Sequence, residues 1–268
     1  MLVACDTETM IRQDSVVMKD PYKIAYVNKQ LGDKNAFEIL QWCYEEFPPE
    51  KIKLSTSFGA EGMVLLHMLA SLGVRPRVFT IDTGRNFQEY YDVWEEAIAR
   101  YGITIESFHP DPEDLTDLVN HQGPNLFYAS SENRKKCCYY RKVKPLKRAL
   151  ADADVWITGL RKEQGPSRSD IDVFSYSKEN RVYKVCPLAN WLEINVWEYI
   201  RNNGVPYNKL YDEGYPTIGC APCCRRVGRA QDIRTGRWWW EKDEQKECGI
   251  HIENGRTQPR KSPSNYSI

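Results

Sequence analysis

Nine cysteines are spread over 268 residues, and their spacing separates two kinds of chemistry. Cys137 and Cys138 are adjacent, Cys220-Ala221-Pro222-Cys223 is followed directly by Cys224, and Cys248 stands alone in Glu247-Cys248-Gly249-Ile250-His251. Two close thiol pairs can supply four thiolates to a tetrahedral zinc ion or a four-iron cluster. Neighbouring side chains diverge, however, so an adjacent pair departs from the ribbon pattern of two Cys-x-x-Cys steps. The Cys220/Cys223 spacing also fits a redox dithiol, and a third reading makes the thiols unrelated. A solitary cysteine in a polar setting becomes a nucleophile when it is partly exposed and positive charge supports its thiolate. Cys248 is the candidate, with Gly249 giving backbone freedom and His251 a possible base; the competing reading is an inert thiol. Cys43 lies in an apolar helical pattern and reads as a small core residue, and Cys5 and Cys186 share no role with it.

Three further segments have the form of ligand-binding turns. Ser55-Thr56-Ser57-Phe58-Gly59-Ala60-Glu61-Gly62 is a hydroxyl- and glycine-rich turn between a strand pattern and a helix pattern. Such a turn can aim backbone N–H groups and a helix N-terminus at a phosphate. No Gly-Lys-Ser/Thr follows, so it is not a Walker A loop. Asp82-Thr83-Gly84-Arg85 and Thr158-Gly159-Leu160-Arg161 each close a strand pattern, where open parallel sheets bind ligands. Gln164, Ser167 and Arg168 follow the latter, and Arg161 and Arg168 could hold a sulfate or phosphate through paired donors. Ordinary turns and a solvated loop are the bland alternatives.

Cations surround the thiol pairs: Arg134, Lys135, Lys136, Arg141, Lys142 and Lys144 at the first, and Arg225, Arg226 and Arg229 at the second. They could stabilise a negatively charged thiolate centre or hold an anionic substrate, and about half read equally well as solvated helix face. Arg234-Thr235-Gly236-Arg237 leads into Trp238-Trp239-Trp240, three rings that one side of a regular element cannot bury together.

These residues must be positioned by an alternation of strands and helices. Helical apolar spacing is expected over 36–47, 63–72, 87–101, 113–121, 143–150 and 194–202, and strands over 51–57, 77–82, 103–108, 155–160 and 183–186. Strand–loop–helix–strand order predicts parallel βαβ units in an α/β fold, a parallel sheet flanked by helices. Residues 217–247 lose apolar periodicity and become rich in Cys, Arg and Trp. The expected division is an α/β domain over 1–216, a catalytic segment over 217–252, and a disordered polar tail over 253–268. Lys+Arg and Asp+Glu number 37 each, so no polyanion or nucleic-acid partner is indicated by the whole-chain charge. No apolar run approaches a membrane span, and residues 1–20 contain no secretory core, so a reducing cytoplasmic setting is expected.

Taken in order, the segments beginning at Ser55, Asp82, Cys137 (with Arg141-Lys142), Thr158, Gly219, Gly236 and Glu247 resemble the assimilatory adenylyl-sulfate reductases of the iron–sulfur type. The resemblance implies an adenine-nucleotide α-hydrolase-like fold. It implies a phosphate loop at Ser57, Phe58, Gly59 and Glu61, nucleotide contacts from Thr83, Gly84 and Arg85, and a phosphosulfate grip by Arg161, Arg234 and Arg237. Cys137, Cys138, Cys220 and Cys223 would ligate a [4Fe-4S] cluster that does not itself pass electrons, with Lys142 linking cluster and substrate. Cys248 would attack adenosine 5′-phosphosulfate, and thioredoxin or glutaredoxin would release sulfite, in sulfate assimilation toward cysteine. A homo-oligomer is implied. Gly62, Gly165 and Cys224 depart from the family's usual Asp, Ser and Thr. The alternatives are a 3′-phosphoadenylyl-sulfate or dual-substrate reductase, an ATP-dependent RNA thiolation enzyme, and a zinc-binding interaction module.

Overall fold

A computed structural model describes residues 21–228 and 233–241. The expectations for residues 1–20, Cys5, Arg229, Cys248, His251 and the 253–268 tail lie outside the described residues.

Helices α1 (Pro21–Leu31) and α2 (Ala36–Glu46) come first. Asn35 starts α2 with a reciprocal box: its side chain accepts the Glu38 N–H at 3.1 Å while Glu38 accepts the Asn35 N–H at 2.7 Å. The alternation follows as β1 (Ile52–Ser55), α3 (Ala60–Ser71), β2 (Arg77–Ile81), α4 (Gln88–Tyr101), β3 (Ile105–Phe108), α5 (Pro112–Gln122) and α6 (Ser131–Cys138). A π-helical turn over Tyr139–Val143 joins α6 to α7 (Lys144–Ala149), followed by β4 (Val155–Ile157), β5 (Phe174–Ser177), β6 (Val182–Val185) and α8 (Glu193–Asn203).

The six strands form one sheet in the order β3-β2-β1-β4-β6-β5, parallel except for the antiparallel β5–β6 pair at one edge. Both faces are covered, as a parallel sheet requires. Ile52, Leu54, Val78, Val155 and Ile157 point to one face and pack with α2, α3, α4 and α8. Their neighbours Phe79 and Trp156 point to the other, against Leu146 and Ala149 of α7. A third cluster, away from the sheet, joins Leu118, Phe127, Cys137, Cys220, Cys223 and Trp238. From β1 the chain winds outward through β2 and β3, then returns to β4 on β1's other side. The strand order therefore reverses between β1 and β4, which opens a crevice beyond their carboxyl ends. No helix among the described residues is long and apolar enough to cross a membrane.

Candidate functional site

A cavity of about 270 Å³ fills that crevice. Ser55, Thr56, Ser57, Gly59, Glu61 and Gly62 line it from β1 and the start of α3, and Thr158 to Arg161 line it from the end of β4. The β1–α3 turn is tight. Phe58 adopts φ 57°, a left-handed conformation that a residue with a Cβ adopts only under constraint. The constraint is visible: the Phe58 N–H donates to Thr56 Oγ1 at 2.9 Å, and its fully buried ring stacks on Trp94 and meets Tyr90 edge-on. Phe58 thus anchors the turn in the core instead of facing the cavity, while Ser57 and Gly59 remain on its wall.

Glycines let three backbones approach. A Cβ at Gly62 would lie 2.6 Å from Thr56 Oγ1, and one at Gly159 would lie 2.7 Å from Glu61 Cβ and 3.3 Å from Gly62 N. Helix α3 can therefore bring its N-terminus, with its partial positive charge, to the cavity. Its first N–H, Ala60, donates to the hydroxyl of the half-buried Tyr211 at 3.1 Å. Burial raises the Tyr211 phenol far above its ordinary range, so it stays a neutral cap.

The predicted cations divide into two groups. Lys142, Arg234 and Arg237 line the cavity on the side of the thiols. Arg161 also lines it, but its Nε lies 2.9 Å from Glu61 Oε1 and its Nη1 2.8 Å from Glu163 Oε2, with a side chain only 5% exposed. Its charge is met by two carboxylates. Among the β2-end residues, Thr83 reaches the cavity and Gly84 and Arg85 do not. Gly84 takes φ 67° in a turn held by Asp82 Oδ1, and Arg85 lies over the Phe127 ring and donates to Asn125.

Thr83 connects the cavity to the thiols, with its Oγ1 3.3 Å from Cys220 Sγ. Cys137, Cys138, Cys220 and Cys223 are all free and buried, and three of them share one packed cluster with Trp238 and Phe127. Burial raises the Cys137 thiol, opposed by Arg141 and Arg85, and pushes Cys223 up to about 12, opposed by Arg237 and Lys142. Soft sulfur donors collected in a buried, cation-flanked place fit a thiolate-bound metal or cluster, which requires deprotonated ligands. Among the described residues no three His, Cys, Asp or Glu groups converge as ligands of one ion would.

Several working residues carry little signal in the sequence. Arg141 is buried and donates to Thr83 O at 2.6 Å, which ties the π-helical turn to the β2 end. Arg134, also buried, pairs with Glu241 through Nε–Oε1 at 2.6 Å and lies over the Trp238 ring at 4.4 Å. The tryptophan triplet separates as its geometry requires: Trp238 is buried, Trp240 half-buried and Trp239 exposed.

The model of the phosphoadenosine phosphosulfate reductase domain family matches residues 51–226. An adenosine 5′-phosphosulfate reductase of Allochromatium vinosum is 43% identical over 230 residues, which cover 85% of this chain and 89% of the relative. One from Pseudomonas aeruginosa strain UCBPP-PA14 is 40% identical over 249 residues, covering 90% and 91%. The crystal structure of a phosphoadenylyl-sulfate reductase from Candida auris, in complex with phosphate, superposes with a TM-score of 0.67 at 28% identity, covering 78% of this chain and 98% of that one. A Candida glabrata FMN adenylyltransferase shares the fold alone, with a TM-score of 0.51 at 16% identity over 85% of this chain and 75% of that one.

Proposed function

The chain belongs to the phosphoadenosine phosphosulfate reductase domain family, and on that premise we propose that it reduces adenosine 5′-phosphosulfate to sulfite and AMP. One observation carries the reading: Lys142, Arg234 and Arg237 stand on the cavity wall between the α3 N-terminus and the cysteine quartet. A nucleotide lying in the crevice would present its anionic end to those three cations. Elsewhere on the wall Arg161 is paired with Glu61 and Glu163, and Arg168 donates to Gln164 Oε1. The relatives at 40–43% identity are adenosine 5′-phosphosulfate reductases, which favours the unphosphorylated over the 3′-phosphorylated nucleotide.

The reaction follows from the charges. The Cys248 thiolate attacks the sulfur of the phosphosulfate group. The S–O bond to phosphorus breaks, and AMP leaves with the electron pair on its phosphate oxygen. Lys142, Arg234 and Arg237 neutralise the oxygens as that bond opens, the kind of fixed charge that favours the transition state over the substrate. The protein is left with a Cys248 S-sulfonate. A thiolate of a dithiol protein, thioredoxin or glutaredoxin, then attacks Cys248 Sγ and displaces sulfite; its second thiol closes a disulfide and frees Cys248. Two electrons from the dithiol account for the reduction.

Cys137, Cys138, Cys220 and Cys223 would hold a [4Fe-4S] cluster. When bound, that group supplies a compact charged centre joining the two cysteine pairs beside the cations. All seven described cysteines are free thiols, which suits the reducing cytoplasm where sulfate assimilation toward cysteine would run. The test is mass spectrometry after mixing with adenosine 5′-phosphosulfate alone. One SO3 group should appear on Cys248, and adding reduced thioredoxin should release it as sulfite. Cys248→Ser should lose both signals while keeping its iron. An iron-replete protein that never becomes sulfonated would refute the reading.

A further inference from the structure

Cys224 is the thiol that the quartet leaves over, and its sulfur faces a different task. It is 8% exposed and accepts two donors, Arg237 Nη1 at 3.0 Å and the Gly219 N–H at 3.1 Å. The backbone around it is paired with the segment that carries Arg237. Cys224 and Arg237 form an isolated antiparallel bridge, Arg225 N–H donates to Gly236 O at 3.0 Å, and Trp238 N–H donates to Cys223 O at 3.2 Å. Side chain and main chain thus fix the same arginine from two directions.

The remaining surroundings leave the guanidinium little choice of position. Trp238 lies against it, 4.7 Å from Cζ to the ring centre. Gly219 lies below it, where a Cβ would come 2.6 Å from Nη2 and 2.7 Å from Cζ. Both Gly219 and Arg237 line the cavity, and Arg237 is 6% exposed. A long side chain so placed would lose its aim if one end of the fork were released, because each free rotamer adds entropy that binding must remove.

We propose that Cys224 is a positioning residue: its sulfur holds Arg237 Nη1 so that the guanidinium faces the anionic end of the nucleotide. The inference rests on the cavity being the site for adenosine 5′-phosphosulfate. It also separates Cys224 from the metal-binding thiols.

Cys224→Thr and Cys224→Val give nearly the same shape, but only threonine accepts a hydrogen bond. In the iron-replete protein we expect Val to raise the KM for adenosine 5′-phosphosulfate and the Kd for AMP about tenfold, the equivalent of one lost hydrogen bond to a charged group. Thr should stay within about twofold of the parent, and both variants should retain their iron. Equal behaviour of the two variants, whether unimpaired or impaired, would overturn the proposal, as would a Thr variant weaker than Val. Loss of iron from either variant would also overturn it, since Cys224 would then be a ligand. If the parent does not turn over adenosine 5′-phosphosulfate, the functional reading fails separately, and the AMP titration still decides the role of Cys224.

Discussion

Glu241→Gln tests how the segment carrying Arg234 and Arg237 is held to the protein. Glu241 and Arg134 form a two-pronged pair, Nε–Oε1 at 2.6 Å and Nη2–Oε2 at 3.1 Å, with side chains 5% and 2% exposed. Arg134 belongs to the same helix as Cys137 and Cys138, and its guanidinium lies 4.4 Å from the centre of the Trp238 ring. The amide keeps the shape of Glu241 but removes its charge, which strands a buried cation. Breaking such a pair from one side costs about 3–5 kcal/mol. At about 2–4 °C per kcal/mol for a chain of this size, the loss is about 6–20 °C in Tm, with the amide nearer the lower figure because it keeps one acceptor. Arg134→Met strands the carboxylate instead and should cost at least as much. The double variant Arg134→Met/Glu241→Leu leaves no unpaired charge, so it should be more stable than either single change. Calorimetry on the iron-replete protein measures the cycle, and AMP titration reports on Arg237. A Glu241→Gln protein within about 2 °C of the parent, or a double variant whose loss equals the sum of the single losses, would refute the reasoning.

Two further outcomes are expected elsewhere in the fold. At the amino ends of the strands, the hydrogen bond from Lys53, joined by a weaker one from Arg77 and by both cations' charges, outweighs desolvation and lowers Asp152 from 3.8 to about 2. A depressed carboxyl contributes stability above its unfolded pKa, so this contribution should disappear as pH falls from about 4 to about 2. Tm measured over that range should fall less steeply in Asp152→Asn, and parallel curves would contradict the assignment. Gly159→Ala should lower stability by about 1–3 kcal/mol and weaken AMP binding, because the new methyl would collide with Glu61 and push the α3 N-terminus from β4. Unchanged melting and unchanged AMP affinity would show that the two backbones have room.

The alternation of strands and helices was legible because apolar residues repeat at two distinct periods. Expected strands at 77–82 and 103–108 correspond to Arg77–Ile81 and Ile105–Phe108, and the expected helix at 87–101 to Gln88–Tyr101. The strand expected over 155–160 stops at Ile157, since Gly159 is needed for the approach of Glu61. Helix α6 has the sequence Ser-Glu-Asn-Arg-Lys-Lys-Cys-Cys, which offers no apolar stripe to a periodicity reading. It is set by the Ser130 cap and by burial of Arg134, Cys137 and Cys138 at helical spacing. Helix α1 and edge strand β5 escaped for a related reason: their apolar signals are short or mixed with polar residues. At the site, Ser57, Gly59, Glu61, Thr83, Lys142, Arg161, Arg234 and Arg237 all reach the cavity from motifs visible in the chain. Phe58, Gly84 and Arg85 belong to the same motifs and shape the turns instead. Motif membership fixes the turn, whereas side-chain direction depends on packing partners distant in sequence, such as Trp94 for Phe58 and Phe127 for Arg85.

The same distinction decides what the many cations near the thiols can do. Lys135, Lys136, Arg225 and Arg226 are exposed, and charges there are screened within about 10 Å at ordinary salt. Arg134 and Arg141 are buried but committed, one to Glu241 and the other to Thr83 O. Arg161 is committed to two carboxylates. Lys142, Arg234 and Arg237 line the cavity, and each is supplied by a different constraint. Lys142 lies in the π-helical turn that follows the adjacent cysteines, Arg234 packs against Gly165, and Arg237 is held by Cys224 and Trp238. A π-turn adds a residue to the helical repeat and changes the direction of the side chains beyond it. Cys137 packs in the thiol cluster while Lys142, beyond the turn, faces the cavity. An uninterrupted α-helix would stack Lys142 over Cys138 on one face, since residues four apart align there. The irregular turn thus separates the direction of Lys142 from that of the buried cysteines before it.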